Sequence, residues 1–361
     1  VNPDRNYLMI KDEIDTAYFE VMARGDLIDR VHLKGFEENL ADFVGTKFAV
    51  GLNSGYDALH ISLRAARIGP DDEVIVPAHT FVATASAVVN VGAKPVLVDV
   101  GKDFNIDPDK IEEAITEKTR GIIPVHLNGY MADMDHIMEI AERYDLVVIE
   151  DACQSLGASM NGKKGGFWGL TGCWSFYPFK ILGGYGDGGA ITTDDPDVAL
   201  FATRMRYNGE DRETGEYHGH GFTCLLDNLQ AAFLDIKLRH LPTWIERRRE
   251  IAERYKAALA DIPALMLPHY SDPQRDHVYQ NYVVRAKQGD DFSEYLKKEG
   301  VEVLTQFRKP YYKHEALKLE DRGFPETEAL SREVCSLPMN VEITEVEVDY
   351  VIEIVRSFYG K

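Results

Sequence analysis

The chain has 361 residues, 45% of them hydrophobic, and its 60 acidic against 40 basic side chains give a formal charge of −20. That balance argues against a protein whose task is to grip nucleic acid, yet it leaves room for a small anionic ligand, because local donors and not the global sum create such a site. Four scattered cysteines (Cys153, Cys173, Cys224, Cys335) without a C-x-x-C pair speak against a disulfide framework or structural zinc. With no basic-then-apolar leader and no apolar run of about 20 residues, the expectation is a soluble, cytoplasmic protein without membrane or nucleic-acid partners and without a metal.

From about residue 46 to residue 200, short apolar runs alternate with segments of helical period. Strands are predicted at K-F-A-V-G-L from Lys47, E-V-I-V-P from Glu73, K-P-V-L-V-D-V from Lys94, G-I-I-P-V-H from Gly121 and L-V-V-I-E-D from Leu146, with two more around 172–176 and 190–192. Between them lie helical patterns such as D-A-L-H-I-S-L-R-A-A-R from Asp57 and A-D-M-D-H-I-M-E-I-A-E-R-Y from Ala132. Such alternation predicts a mixed, mostly parallel seven-stranded sheet wrapped by helices, its strands buried enough to read as continuous apolar runs. After about residue 225, L-D-N-L-Q-A-A-F-L-D-I-K-L has helical spacing, and a further helical stretch begins on Pro242, a residue favoured in a first helical turn. The rest mixes short strands (Y-Q-N-Y-V-V-R-A) with helices and ends in a helix near 344–358. The expected organisation is a large α/β domain over residues 1–240, with N-terminal helices, and a smaller α+β domain over 241–361.

Three motifs carry chemistry. In L-N-S-G-Y-D-A-L a strand ends, Ser54 and Gly55 turn the chain, and a helix begins; amides at a helix N-terminus make an anion site, although Ser54 or Asp57 serving only as a helix cap explains the same residues. In V-V-I-E-D-A-C-Q, Asp151 stands at the C-terminal edge of a strand, where open α/β sheets bind ligands, and an acid there can keep a heteroaromatic nitrogen protonated. Lys180 follows W-S-F-Y-P-F, and a lysine in apolar surroundings can attack a carbonyl as the free amine. The glycines of G-G-Y-G-D-G-G after it read as a tight turn into the next strand, which also holds the lysine backbone close to a ligand. An anion cup, a strand-end acid and a lysine together are what pyridoxal phosphate requires. Phe81 can then cover the ring, Gln154 can donate to its phenolic oxygen, and Ser175 adds a hydroxyl.

At these residues, and over nearly its whole length, the chain resembles the DegT/StrS family of fold-type-I pyridoxal-phosphate enzymes, which mostly aminate keto groups on nucleotide-linked sugars. The resemblance rests on N-S-G-Y-D-A-L-H-I-S-L-R-A-A, D-E-V-I-V-P-A-H-T-F-V-A-T-A, P-V-H-L-N-G, V-I-E-D-A-C-Q-S-L-G-A, S-F-Y-P-F-K-I-L-G-G-Y-G-D-G-G-A, L-D-N-L-Q-A-A and C-S-L-P-M-N. It implies that Lys180 bears the cofactor and that Asp151 pairs with the ring nitrogen. Gln154 would contact O3′, Ser54, Gly55, Tyr56 and Ser175 the phosphate, and Phe81 the ring face. Lysine at 180, where dehydrating relatives carry histidine, implies amino transfer, with L-glutamate as donor. Asp187 before the paired glycines favours members acting at C3 of the sugar; a 4-keto sugar or cyclitol ketone is the alternative, and a cofactor-binding regulator a reading from another class. A homodimer with shared sites is implied.

Three departures from the family pattern stand out. Tyr56 replaces a threonine, Thr223-Cys224-Leu225 replaces Asn-Ser-Arg at a cross-subunit phosphate contact, and F-R-K-P at 307–310 replaces Tyr-Pro-x-Pro. Tyr185, Arg308 and Lys309 are accordingly candidates for binding the sugar nucleotide.

Overall fold

The computed structural model describes residues 2–268 and 272–361. Three helices, α1 (Pro3–Met9), α2 (Lys11–Arg24) and α3 (Val31–Val44), precede β1 (Phe48–Leu52). Alternation follows: α4 (Gly55–Ala65), β2 (Glu73–Pro77), α5 (Val82–Asn90), β3 (Lys94–Val98), α6 (Pro108–Ala114), β4 (Thr119–Ile122), α7 (Met134–Tyr144), β5 (Val147–Asp151), β6 (Thr171–Ser175), β7 (Gly189–Thr193) and α8 (Pro196–Met205). These seven strands form one sheet in the order β1-β7-β6-β5-β4-β2-β3. All pairings from β6 to β3 are parallel, and β7 is antiparallel to both its neighbours. The reason is the connection 176–188, which contains no helix to carry the chain back across the sheet, so β7 re-enters from the end where β6 left. Consequently β1, β2, β5 and β6 all finish, and β7 begins, along one edge. Every residue of β2 and β7 is buried, which is why these strands read as uninterrupted runs.

The second half begins with α9 (Asn228–Leu259), followed by β8 (Leu265–Met266), β9 (Tyr282–Ala286), α10 (Gly289–Lys298), α11 (Pro325–Glu333), β10 (Val334–Leu337) and α12 (Glu345–Phe358). Pro242 does not open a helix as expected; it lies inside the single 32-residue α9. A mid-helix proline removes one hydrogen bond and costs about 3 kcal/mol. Burial on both sides offsets this: Ala231, Leu234 and Leu238 join the core under the large sheet, while Ile251, Tyr255 and Leu259 join a second core with β8–β10, α10 and α12. The division we propose at 240/241 therefore falls within one continuous helix. Asp99, just beyond β3, ties the two cores together by accepting from Thr327 N (2.9 Å), Thr327 Oγ1 (2.8 Å) and Glu326 N (3.0 Å) at the start of α11. No helix among the described residues is long and apolar enough to cross a membrane.

Candidate active site

The shared strand edge opens into a cavity of about 550 Å³, within the size range of small-molecule sites. Ser54, Gly55 and Tyr56 reach it from the β1–α4 junction, Phe81 from the start of α5, Asp151 and Gln154 from the end of β5, and Ser175 and Lys180 from beyond β6. These eight, widely separated in sequence, are thus brought together.

Ser54 is the N-cap of α4, its hydroxyl accepting from Asp57 N (3.1 Å) and donating to Asp57 Oδ2 (2.6 Å). The capping reading holds, and the cap leaves in place what an anion site needs, since amides of the first turn lack partners within the helix and carry its partial positive charge. Tyr56 lines the cavity, and its hydroxyl accepts from Asn90 Nδ2 on α5. Asp151 is buried; Thr84 Oγ1 donates to its Oδ2 (2.9 Å) and Cys153 N to its Oδ1 (3.4 Å). Gln154 Oε1 accepts from Asn128 N (2.8 Å), a bond only the oxygen can make, so the amide's NH₂ end is the one left for a ligand acceptor. The neighbouring Cys153 thiol is pushed well up, by burial first and the Asp151 carboxylate second, and it stays protonated.

Lys180 sits in a turn closed by its own amide donating to Tyr177 O (2.8 Å). The aromatic run does not enclose it: Phe176 packs edge-on against Phe36 in the core, whereas Tyr177 and Phe179 are 49% and 50% exposed and Phe81 is 60% exposed. An apolar rim thus faces outward beside the cavity. None of the five glycines at 183–189 has a positive φ, so the run is not a strained turn. Its bare backbone permits close approach instead. A Cβ on Gly189 would lie 2.3 Å from Ser54 C and O, and one on Gly183 would lie 2.3 Å from Pro178 O. The strand can press on the β1–α4 turn, and the loop can close behind Lys180, only without side chains there.

Three residues expected at the sugar nucleotide, and Thr223, expected at the neighbouring subunit's phosphate, lie outside this cavity. Tyr185 turns toward α9, where its ring meets Phe233 (5.4 Å) and Lys237 Nζ (3.8 Å), and burial pushes its phenol up to about 12. Arg308 donates to Gly289 O (3.0 Å) and to Arg332 O, holding α10 against α11. Lys309 is exposed. Thr223 Oγ1 donates to Asn208 Oδ1 of the same chain (3.1 Å). Sequence reasoning missed Thr84, Tyr177, Gln306 and Phe307. Thr84 carried one usable signal, its place three residues beyond Phe81, on the face of α5 turned toward the sheet. Phe307 heads the F-R-K-P departure, of which only the two cations were singled out, and Gln306 carried no signal of its own.

Phe307 has φ +56° and meets His79 edge-on at 5.3 Å. His79 is fully buried and lowered to about 4 by desolvation, with Asp99 opposing the shift and Arg285 adding to it. Its folded value lies below the unfolded one, so the unfolded chain binds the proton first and stability falls as pH drops from about 6.5 to about 4. The loss through this group is about 3 kcal/mol at its largest. Urea titrations at stepped pH are expected to show that slope, with His79→Phe flattening it; an identical acid limb in both proteins would rule His79 out.

The model of the DegT/DnrJ/EryC1/StrS aminotransferase family matches residues 9–356. Three similar relatives are a pleiotropic regulatory protein of Geobacillus stearothermophilus (40% identical, covering 98% of this chain and 96% of the relative), the dTDP-3-amino-3,4,6-trideoxy-alpha-D-glucose transaminase of Streptomyces venezuelae (38%; 98% and 93%) and the UDP-2-acetamido-2-deoxy-3-oxo-D-glucuronate aminotransferase of Pseudomonas aeruginosa (40%; 92% and 92%). Among solved structures, S. venezuelae DesV in complex with a ketimine intermediate aligns with TM-score 0.96 at 38% identity, covering 100% of this chain and 98% of DesV. Bacillus subtilis NtdA with bound cofactor PMP aligns with TM-score 0.89 at 33% identity, covering 97% and 82%.

Proposed function

The chain belongs to the DegT/DnrJ/EryC1/StrS aminotransferase family, and on that premise we propose that it moves an amino group from L-glutamate to the C3 keto group of a nucleotide-linked sugar, with pyridoxal 5′-phosphate as cofactor. The observation that carries this reading is the convergence of Lys180, Asp151, Gln154 and the α4 N-terminus on one cavity. The cup fits a phosphate, because a Cβ on Gly55 would lie 2.7 Å from Cys153 Sγ and 2.9 Å from Ser175 Cβ, so only glycine leaves the backbone amides open there. Bound in this cavity, the cofactor supplies a carbonyl that condenses with amines and an electron-poor ring that takes up the charge left by a departing proton.

The chain's own residues do the remaining work. Amides of Gly55 and Tyr56, with the Ser175 hydroxyl, receive the phosphate at the positive end of α4. Phe81 covers one face of the ring, Asp151 holds a proton on its nitrogen, and Gln154 Nε2 donates to its phenolic oxygen. Lys180 Nζ would hold the cofactor at rest. Displaced by an amino donor, the same amine would take the proton from the donor's α-carbon and return it to the cofactor's former carbonyl carbon, on the other side of the donor nitrogen. The half-reactions then share one site in turn, which gives ping-pong kinetics.

The relatives named for dTDP and UDP sugars aminated at C3 support that position. Incubation with glutamate and a panel of 3-keto and 4-keto nucleotide sugars, with products resolved by NMR, decides it; amination at C4 alone would discard the C3 assignment. A homodimer is supported by the aromatic rim of Phe81, Tyr177 and Phe179, exposed in one chain. Light scattering that gave one chain's mass at micromolar concentration would count against it. Gly55→Ala is expected to weaken cofactor binding by about tenfold or more, the loss of one charge-assisted hydrogen bond. Fluorescence titration of the apo chain with pyridoxal phosphate measures this, and an unchanged dissociation constant would move the phosphate elsewhere.

A further inference from the structure

Within the loop that bears Lys180, the peptide groups flanking the lysine are held by a side chain from the second half of the chain. Gln280 is 7% exposed, and its planar amide makes two hydrogen bonds: Oε1 accepts from Ile181 N (2.6 Å), and Nε2 donates to Phe179 O (3.0 Å). Those two groups belong to the peptide planes on either side of the Lys180 Cα. Peptide planes are rigid, so pinning both fixes φ and ψ of Lys180 and with them the direction of its Cα–Cβ bond. Gln280 is itself anchored. Buried Arg248 donates to Tyr279 O (2.8 Å) and Met339 O (3.0 Å), and Tyr279 takes φ +50°, a left-handed turn immediately before Gln280. Next in the chain, Asn281 Nδ2 donates to Asn128 Oδ1 (3.2 Å), and the Asn128 amide in turn holds Gln154.

We infer that Gln280 is a positioning residue that aims Lys180 into the cavity, so that a segment remote from the chemistry sets the geometry of the proton transfer. This rests on Lys180 being the reacting amine.

Gln280→Met keeps the length of the side chain and removes both bonds; Gln280→Glu keeps the acceptor for Ile181 N and removes the donor to Phe179 O. Two readouts test the idea. In the apo chain, amide hydrogen exchange at Ile181 is expected to speed up by about tenfold or more in Gln280→Met, the loss of a typical hydrogen bond, and to stay near wild type in Gln280→Glu. In cofactor-loaded enzyme, kcat per loaded site is expected to fall by about 10–100-fold in Gln280→Met and less in Gln280→Glu, with KM for the nucleotide sugar unchanged, as misplacement of a reacting group by about 1 Å implies. Wild-type kcat in Gln280→Met, or unchanged exchange at Ile181, overturns the inference. If Gln280→Met does not fold, Gln280→Glu decides: protected Ile181 with lowered kcat supports the clamp, and wild-type kcat sinks it. Borohydride fixation of the cofactor to a lysine other than 180 in wild-type protein would instead refute the functional reading, while the exchange result at Ile181 would still stand.

Discussion

Lys180→Ala is expected to lower turnover by about 10⁴-fold or more, the upper end of what a positioned proton carrier contributes. On the proposed reading the amine has two tasks, carrying the cofactor and moving the proton, and among the described residues no second lysine lines the cavity to take over either of them. The substitution is expected to leave the fold intact. Lys180 is half-buried, and the bonds that shape its loop, from its own amide to Tyr177 O and through Gln280 to its neighbours, are made by backbone groups that alanine retains. Added methylamine, which restores an amine without its tether, is expected to recover a small fraction of the rate. The decisive measurement is single-turnover conversion of cofactor-loaded variant. A rate within about tenfold of wild type would mean that the proton moves by another route.

Asp151→Asn is expected to cost about 10²–10³-fold in kcat, comparable to deleting one preorganised electrostatic contact to a developing charge. Asparagine fills the same volume and can still engage Thr84 Oγ1 and Cys153 N, but it carries no charge with which to retain a proton on a ring nitrogen. The partners of Asp151 are a hydroxyl and a backbone amide, not a cation. In the apo chain removing its charge therefore relieves a burial cost, and the Tm of the apo chain should hold or rise. Loss of activity with an unchanged or higher Tm is the expected pattern. Near-normal turnover would show that the ring nitrogen needs no acid here, and a collapsed Tm would make Asp151 structural.

The site residues legible in the sequence are those whose local pattern already fixes a position in an α/β fold. Asp151 ends an apolar run, Ser54 and Gly55 separate a strand from a helix, and Lys180 follows a strand that must turn back. Proximity along the chain misled in the other direction. Tyr185 lies between glycines of the same run as Lys180, yet it faces α9 because Gln230 Oε1 takes its amide (2.9 Å) and Lys237 its ring. Arg308 adjoins Phe307, which does line the cavity, but its guanidinium is spent on backbone carbonyls of α10 and α11. The glycines were read as a turn into the next strand that brings the backbone close to a ligand; they do lie in that reversal, and which groups they let approach depends on what stands opposite each one.

What the sequence by itself determined is the alternation of buried strands and helices, the strand-end placement of Asp151 and of the Ser54–Gly55 turn, and the kinship that names the chemistry, since each of these is written in local period and composition. What only the tertiary structure decided is which distant segments meet: β7 returning against β6, Gln306 and Phe307 entering the cavity, and Gln280 gripping both peptide planes beside Lys180. Local sequence sets the conformation a segment prefers, whereas contacts between segments a hundred residues apart are chosen by packing and hydrogen-bond satisfaction over the whole fold, for which no local pattern is a record.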